Sequence, residues 1–268
     1  MDIKVDVLSD KKEGRLFVAR GCTLFGQENT IVALNAAVAD ASLYGAEISV
    51  LTTHGGQCVL CHDQNLMQLV GLDIDIRTLD RKQIEALTIL KTIKGQTYPN
   101  TAKFMFLDEA FALYVAKHKN DEKNSDEKNA KGMALWLSVK NPGYRPWSWG
   151  DETAAILVNE LHRLKHTHNM DKIYISSTNP FLVSNMKSAV NAQGLNIFYD
   201  YSNWGYCDCI QSLLLCCGYG IDNNVALDKP FATLSIIERL HSQNVQVISY
   251  DIGNQPRPKL DDFLLVYR

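Results

Sequence analysis

The sequence predicts an α/β fold, a mostly parallel sheet flanked by helices, on three observations. Short apolar runs such as Ala46–Thr52 (AEISVLT), Lys103–Leu107 (KFMFL) and Lys172–Ser176 (KIYIS) read as buried strands. Stretches of helical period alternate with them, which is the order of βαβ units. Glycine or small polar residues close most of these segments, as turns between the two layers require.

Taken in order, Leu16–Ala19 is the first strand, followed by a glycine-containing loop from Arg20 to Asn29. Thr30–Tyr44 is helical, with Ile31, Leu34, Val38 and Ala41 on one stripe and Gly45 as its stop. After the Ala46–Thr52 strand, the segment Thr53 to Gly71 is irregular, Asp73–Leu79 alternates like an edge strand, and Arg81–Lys94 has helical period. The Lys103–Leu107 strand leads into a helix or turn at Phe111–Lys117. In residues 119–131 the tetrapeptide DEKN occurs twice, too polar to build a core, and reads as a mobile loop. An aromatic turn, Asn141–Gly150, precedes the helix Glu152–His168. Then follow the Lys172–Ser176 strand, a helix Leu182–Ala192, a strand Leu195–Tyr201, a helix Ala232–Ser242 and a strand Val245–Asp251. The chain reads as a single domain over 1–268, with a C-terminal extension of the sheet in 201–268.

Composition narrows the class. Hydrophobic residues are 46% and charged residues 21%, which excludes a disordered chain. Apolar runs fall short of the roughly 18 residues of a membrane span, and MDIKVDVLSDKKEG lacks the apolar region of a secretory signal. The expected location is therefore cytoplasmic. A net charge of −3 offers no bulk attraction to nucleic acid. Of the seven cysteines, Cys58-x-x-Cys61 lies beside His54 and His62, and Cys207, Cys209, Cys216 and Cys217 form a second group. A zinc site needs four ligands on matched loops, and the spacing fits buried small side chains better.

Three segments carry candidate chemistry. Gly21-Cys22-Thr23-Leu24-Phe25-Gly26 has the G-x-x-x-x-G spacing of a phosphate loop between a strand and a helix. Gln27 and Glu28 occupy the places of the usual Lys and Ser/Thr. Phe104–Glu109 is an apolar run that delivers adjacent carboxylates, Asp108 and Glu109, either as a magnesium-binding and water-activating pair or as an acidic helix start. Ile173–Asn179 ends in Ser177, Thr178 and Asn179, either a γ-phosphate sensor or the cap of the next helix. Tyr144, Arg145, Trp147 and Trp149 could stack on nucleic-acid bases but fit a turn packed by its own aromatics better, and His162, His166 and His168 form no ligand set.

In this order the segments resemble the FtsK–HerA branch of P-loop ATPases, notably viral genome-packaging ATPases and the zonula occludens toxin family of filamentous-phage assembly proteins. The likeness rests on Leu107-Asp108-Glu109-Ala110, Glu160-Leu161-His162-Arg163 and Ser177-Thr178-Asn179-Pro180, and covers roughly Leu16 to Val190. The resemblance implies a P-loop NTPase-like fold that binds ATP and Mg2+. Asp108 would hold the magnesium through water, Glu109 would be the catalytic base, Asn179 or Ser177 the sensor, and Arg163 a residue acting on a neighbouring subunit. It further implies a homo-oligomeric ring acting on double-stranded DNA in packaging or virion assembly, in the host cytoplasm or on the virion. Two other readings stay open. One is a non-hydrolysing structural or regulatory relative, favoured by Gln27 and Glu28. The other is a Rossmann-like nucleotide sensor with Gly21, Gly26 and Ser177 facing one ligand.

Overall fold

The computed structural model describes residues 15–93, 95–117, 132–140, 149–200, 224–227, 246–250 and 263–266, with positions 238, 240 and 242 of one further helical stretch. The polar loop 119–131, most of the aromatic turn (residues 141–148), the Cys207–Cys217 group and most of the helix expected at Ala232–Ser242 lie outside the described residues.

The chain begins with β1 (Arg15–Ala19), α1 (Ile31–Ala39), β2 (Gly45–Thr52) and β3 (Cys58–Leu60). An insert follows, with α2 (Met67–Val70), α3 (Arg81–Ala86) and a small ribbon of β4 (Thr92–Ile93) and β5 (Gln96–Thr97). Then come α4 (Leu107–Tyr114), β6 (Ala134–Val139), α5 (Trp149–Leu164), β7 (Ile173–Ser177), α6 (Pro180–Ser188) and β8 (Ile197–Asp200). Strands β9 (Asn224–Leu227), β10 (Gln246–Tyr250) and β11 (Phe263–Val266) complete the described chain.

The sheet is mostly parallel, as expected, but it is not open. Its order runs β1-β11-β10-β9-β8-β7-β6-β2, and β1 also pairs with β2 in parallel, so the eight strands close into a barrel. That closure overturns the P-loop NTPase-like expectation. Consecutive strands are neighbours around the ring, and the Asp108 segment supplies none of them. Strand β3 hangs on the last residues of β2 in antiparallel pairing, Val50 against Leu60 and Thr52 against Cys58.

Alternation along each strand divides the core. Val18, Ala46, Ile48, Val50, Leu135, Leu137, Val139, Ile173 and Ile175 face outward against Leu34, Leu157, Leu161 and Leu182 of the helices. Phe17, Ala134, Trp136, Tyr174 and Phe198 fill the interior. Phe17 meets Trp136 and Tyr174 edge-on at centroid distances of 6.1 and 5.8 Å, the arrangement aromatic quadrupoles favour. The interior is therefore packed, and a ligand has access only at an end. A third cluster, with Leu66, Ile76, Ile84, Ile89, Phe104 and Phe106, holds the insert on the barrel.

Several local expectations change. α1 ends at Ala39 and buries Ala33, Leu34 and Ala37, leaving Ile31 and Val38 45% and 53% exposed, because small alanines permit the closer approach. Gly45 begins β2 instead of stopping a helix. Asp73–Leu79 contains a 3-10 turn, Ile76–Thr78, pinned by the Asp75 carboxylate accepting from Arg77 N–H. α3 is shorter than Arg81–Lys94, and Lys103–Leu107 forms no strand beyond one bridge of Phe106 to Val59.

Candidate functional site

In a closed parallel barrel the C-terminal strand ends share one rim, and the alternation that packs aromatics inside β1, β6, β7 and β8 puts polar side chains above them. Register aligns Ser49 of β2 with Ser138 of β6 and Ser176 of β7 in one interior row. Trp136 Nε1 donates to Ser176 Oγ at 2.7 Å, tying the aromatic layer to this row. Glu47, level with Ala19 at the end of β1, is only 4% exposed. A carboxylate at such a position must be compensated. It accepts from the backbone N–H of Arg20 at 3.0 Å and from the Ser49 hydroxyl at 3.4 Å. The Lys140 ammonium, one residue past β6, stands 3.8 Å from Glu47 and donates to Ser138 Oγ at 2.7 Å.

The β1–α1 loop completes the rim. Arg20 has φ 55°, and Gly21 follows at φ 76°. A non-glycine in this region is uncommon and held only where its surroundings over-determine it; here Glu47 captures the Arg20 N–H. Gly21 is required by α1, because a Cβ there would lie 2.9 Å from the Ala33 carbonyl carbon. The Arg20 guanidinium pairs with Glu28 at 2.9 Å. Asn29 Oδ1 accepts from Ser49 N–H at 2.9 Å, while its buried Nδ2 has no hydrogen-bond partner. On the other side of β2, Cys61 N–H donates to Ser49 O, and the next residue, His62, holds Nδ1 2.6 Å from the Asp63 carboxylate.

Of the residues singled out from sequence, Gly21 and Glu28 belong to the β1–α1 loop at this rim, and the rest do not gather there. Gly21 and Gly26 do lie between β1 and α1, but Gln27 Nε2 donates to the carbonyls of Leu90 and Asn100, fastening the loop to the insert. Asp108 and Glu109 sit in the first turn of α4, where acidic groups suit the helix end. Both pair with Arg81, at 2.9 and 3.0 Å, and Glu109 also accepts from Phe106 N–H. Ser177 Oγ donates to Val139 O at 2.8 Å, and Asn179 caps α6 by accepting from Phe181 and Leu182. Arg163 lies in the last turn of α5, in the outer helix layer. Cys58 and Cys61 are both buried; burial and the neighbouring Glu160 push the Cys58 thiol up. Glu160 accepts from Cys58 N–H at 2.9 Å, and burial raises its carboxyl above the usual range.

Sequence reading passed over Arg20, Glu47, Ser49, Ser138 and Lys140. One signal was present: Glu47 is the sole charge in a mostly apolar strand, and such a residue is seldom buried unless paired.

The comparisons agree with the barrel. The model of the glycerophosphoryl diester phosphodiesterase family matches residues 20–265. Among solved structures, a glycerophosphoryl diester phosphodiesterase assigned provisionally from Silicibacter pomeroyi superposes with a TM-score of 0.71 at 14% identity, covering 96% of this chain and 90% of that one. A phosphodiesterase from Oleispira antarctica, in complex with the product sn-glycerol-3-phosphate, gives 0.66 at 20% identity, covering 94% and 92%. The glycerophosphodiester phosphodiesterase of Thermotoga maritima gives 0.64 at 18% identity, covering 96% of each chain. The curated proteins contain no match to this sequence.

These findings overturn the packaging-ATPase reading, its nucleotide-sensor alternative and the role of ATP. The oligomeric ring and the double-stranded DNA partner rested on that resemblance and lose their support with it, as does a virion location. Among the described residues, no helix is long and apolar enough to cross a membrane.

The family implies a divalent cation, Ca2+ or Mg2+. Such ions take six or more oxygen ligands, with carboxylates to offset their charge. The described part of the rim does not fit one. Glu47 is already matched by Lys140, its neighbours in the interior row are hydroxyls, and no three His, Cys, Asp or Glu side chains among the described residues converge on a point. In fold and in the reach of the family model, from the β1–α1 loop to β11, this chain belongs to the glycerophosphoryl diester phosphodiesterase family.

Proposed function

We propose that this chain takes a glycerophosphodiester into the rim of its barrel and holds the phosphate against Lys140, with Arg20 beside it. The observation that carries the reading is Lys140. Its ammonium sits at the open end of a closed barrel, 26% exposed, with a donor geometry that Ser138 orients and a loose 3.8 Å contact to Glu47. An ammonium of this kind retains capacity for an anionic oxygen, because three donors serve only two neighbours. The aromatic floor of Phe17, Trp136, Tyr174 and Phe198 excludes deeper entry. Membership of the family supplies the ligand class. Titration calorimetry with sn-glycero-3-phosphocholine in EDTA tests it. Lys140→Met should weaken binding by about tenfold or more, the worth of a charge-assisted hydrogen bond. Absence of binding by the wild-type protein would refute the assignment.

A second reading adds turnover, and the His62–Asp63 pair favours it. An imidazole held 2.6 Å from a carboxylate can relay a proton to or from a phosphodiester oxygen. If so, release of glycerol 3-phosphate in EDTA should fall by ~10²–10⁴-fold in His62→Ala. Equal release by wild type and variant would eliminate it.

A further inference from the structure

We propose that the rim of this chain does not hold its family's divalent cation, so that its ligand site works without metal. The inference rests on the rim being the ligand site.

Glu47 is a buried carboxylate of the rim, as is Asp200 at the end of β8, and among the described residues the polar neighbours of Glu47 are the Arg20 N–H, the Ser49 hydroxyl and the Lys140 ammonium. Those contacts compensate Glu47 from within the chain. Two cations of the rim already have carboxylates beside them, Arg20 with Glu28 and Lys140 with Glu47. A divalent ion entering beside Glu47 would add two positive charges next to the Lys140 ammonium. The adjacent interior positions, Ser49 and Ser138, offer neutral hydroxyl oxygens only. Lys140 is also fixed in place. Its backbone N–H donates to Val50 O and its ammonium to Ser138 Oγ, so it is anchored to β2, the strand of Glu47, and to the neighbouring β6.

The test titrates Ca2+ and Mg2+ into the ligand-free full-length protein, read by calorimetry and by thermal melting. Wild type should show neither saturable heat nor a rise in Tm. The double variant Ser138→Asp, Lys140→Met exchanges a hydroxyl for a carboxylate and removes the ammonium. It should gain Ca2+ binding with a Kd of about 10⁻⁴–10⁻³ M, in the range of weak extracellular sites. Saturable Ca2+ or Mg2+ binding by wild type that disappears in Glu47→Gln would overturn the proposal. A second arm does not depend on the variant folding: wild-type affinity for sn-glycero-3-phosphocholine should be equal in EDTA and in Ca2+. A tenfold tightening by Ca2+ would also overturn it. Loss of phosphodiester binding in both conditions would refute the ligand reading alone, because the metal titration of the free protein judges the cation site independently.

Discussion

Glu47→Gln separates a metal site from an internal ion pair by the sign of its effect. In a metal site, neutralising a ligand carboxylate weakens whatever the metal holds. Here Glu47 competes with the phosphate for Lys140, 3.8 Å away, so its neutralisation should tighten phosphodiester binding. A phosphate seated on Lys140 would lie roughly 6 Å from Glu47, where unit repulsion is about 0.7 kcal/mol in water and about 3 kcal/mol at an effective dielectric constant of 20. Lys140 is 26% exposed, which places the effect near the lower limit, a gain of about three- to tenfold. The cost is structural. A glutamine oxygen still accepts from Arg20 N–H, now as a neutral acceptor, which should lower stability by about 1 kcal/mol. Calorimetric titration with sn-glycero-3-phosphocholine in EDTA, beside urea denaturation, measures both. A fall in affinity by tenfold or more with the fold intact would refute the reasoning.

Other perturbations probe the frame around the rim. Gly45→Ala would drive a Cβ into the Ala134 carbonyl of the neighbouring strand, and the barrel should lose about 3 kcal/mol or fail to close, read as the denaturation midpoint. Arg81→Ala removes the shared partner of Asp108 and Glu109 and a cation 4.2 Å above the Phe106 ring. These groups are partly exposed, so the loss should be about 1–2 kcal/mol, and phosphodiester binding should be unchanged in Asp108→Asn. Glu160 is half-buried, and desolvation raises its carboxyl above the usual range, so the folded state holds its proton more tightly than the unfolded one. Its contribution is therefore greatest in acid and is lost as pH rises through the raised value. Glu160→Gln should flatten that decline, which denaturation midpoints measured across the acidic to neutral range would show.

The sequence by itself determined the elements whose signal is local. The apolar runs at Leu16, Ala46 and Lys172 became β1, β2 and β7, and the Leu157–Leu161–Leu164 stripe became α5, because burial imposes its period on the chain directly. Residues 134–139 went unread as a strand, although ALWLSV is as apolar as the rest, and with them went Ser138 and Lys140. The acidic pair Asp108–Glu109 looked like a strand-end motif. Whether an apolar run pairs with others depends on distant partners, and Phe104 and Phe106 found theirs in the insert core instead. Closure was equally invisible locally. An open sheet and a barrel share the same alternation of strand and helix, and only the pairing of β1 with both β2 and β11 separates them. That pairing sets which strand ends share a rim. It brings Arg20, Glu47 and Lys140 together from three separate stretches of chain, with one charge answering another across strands.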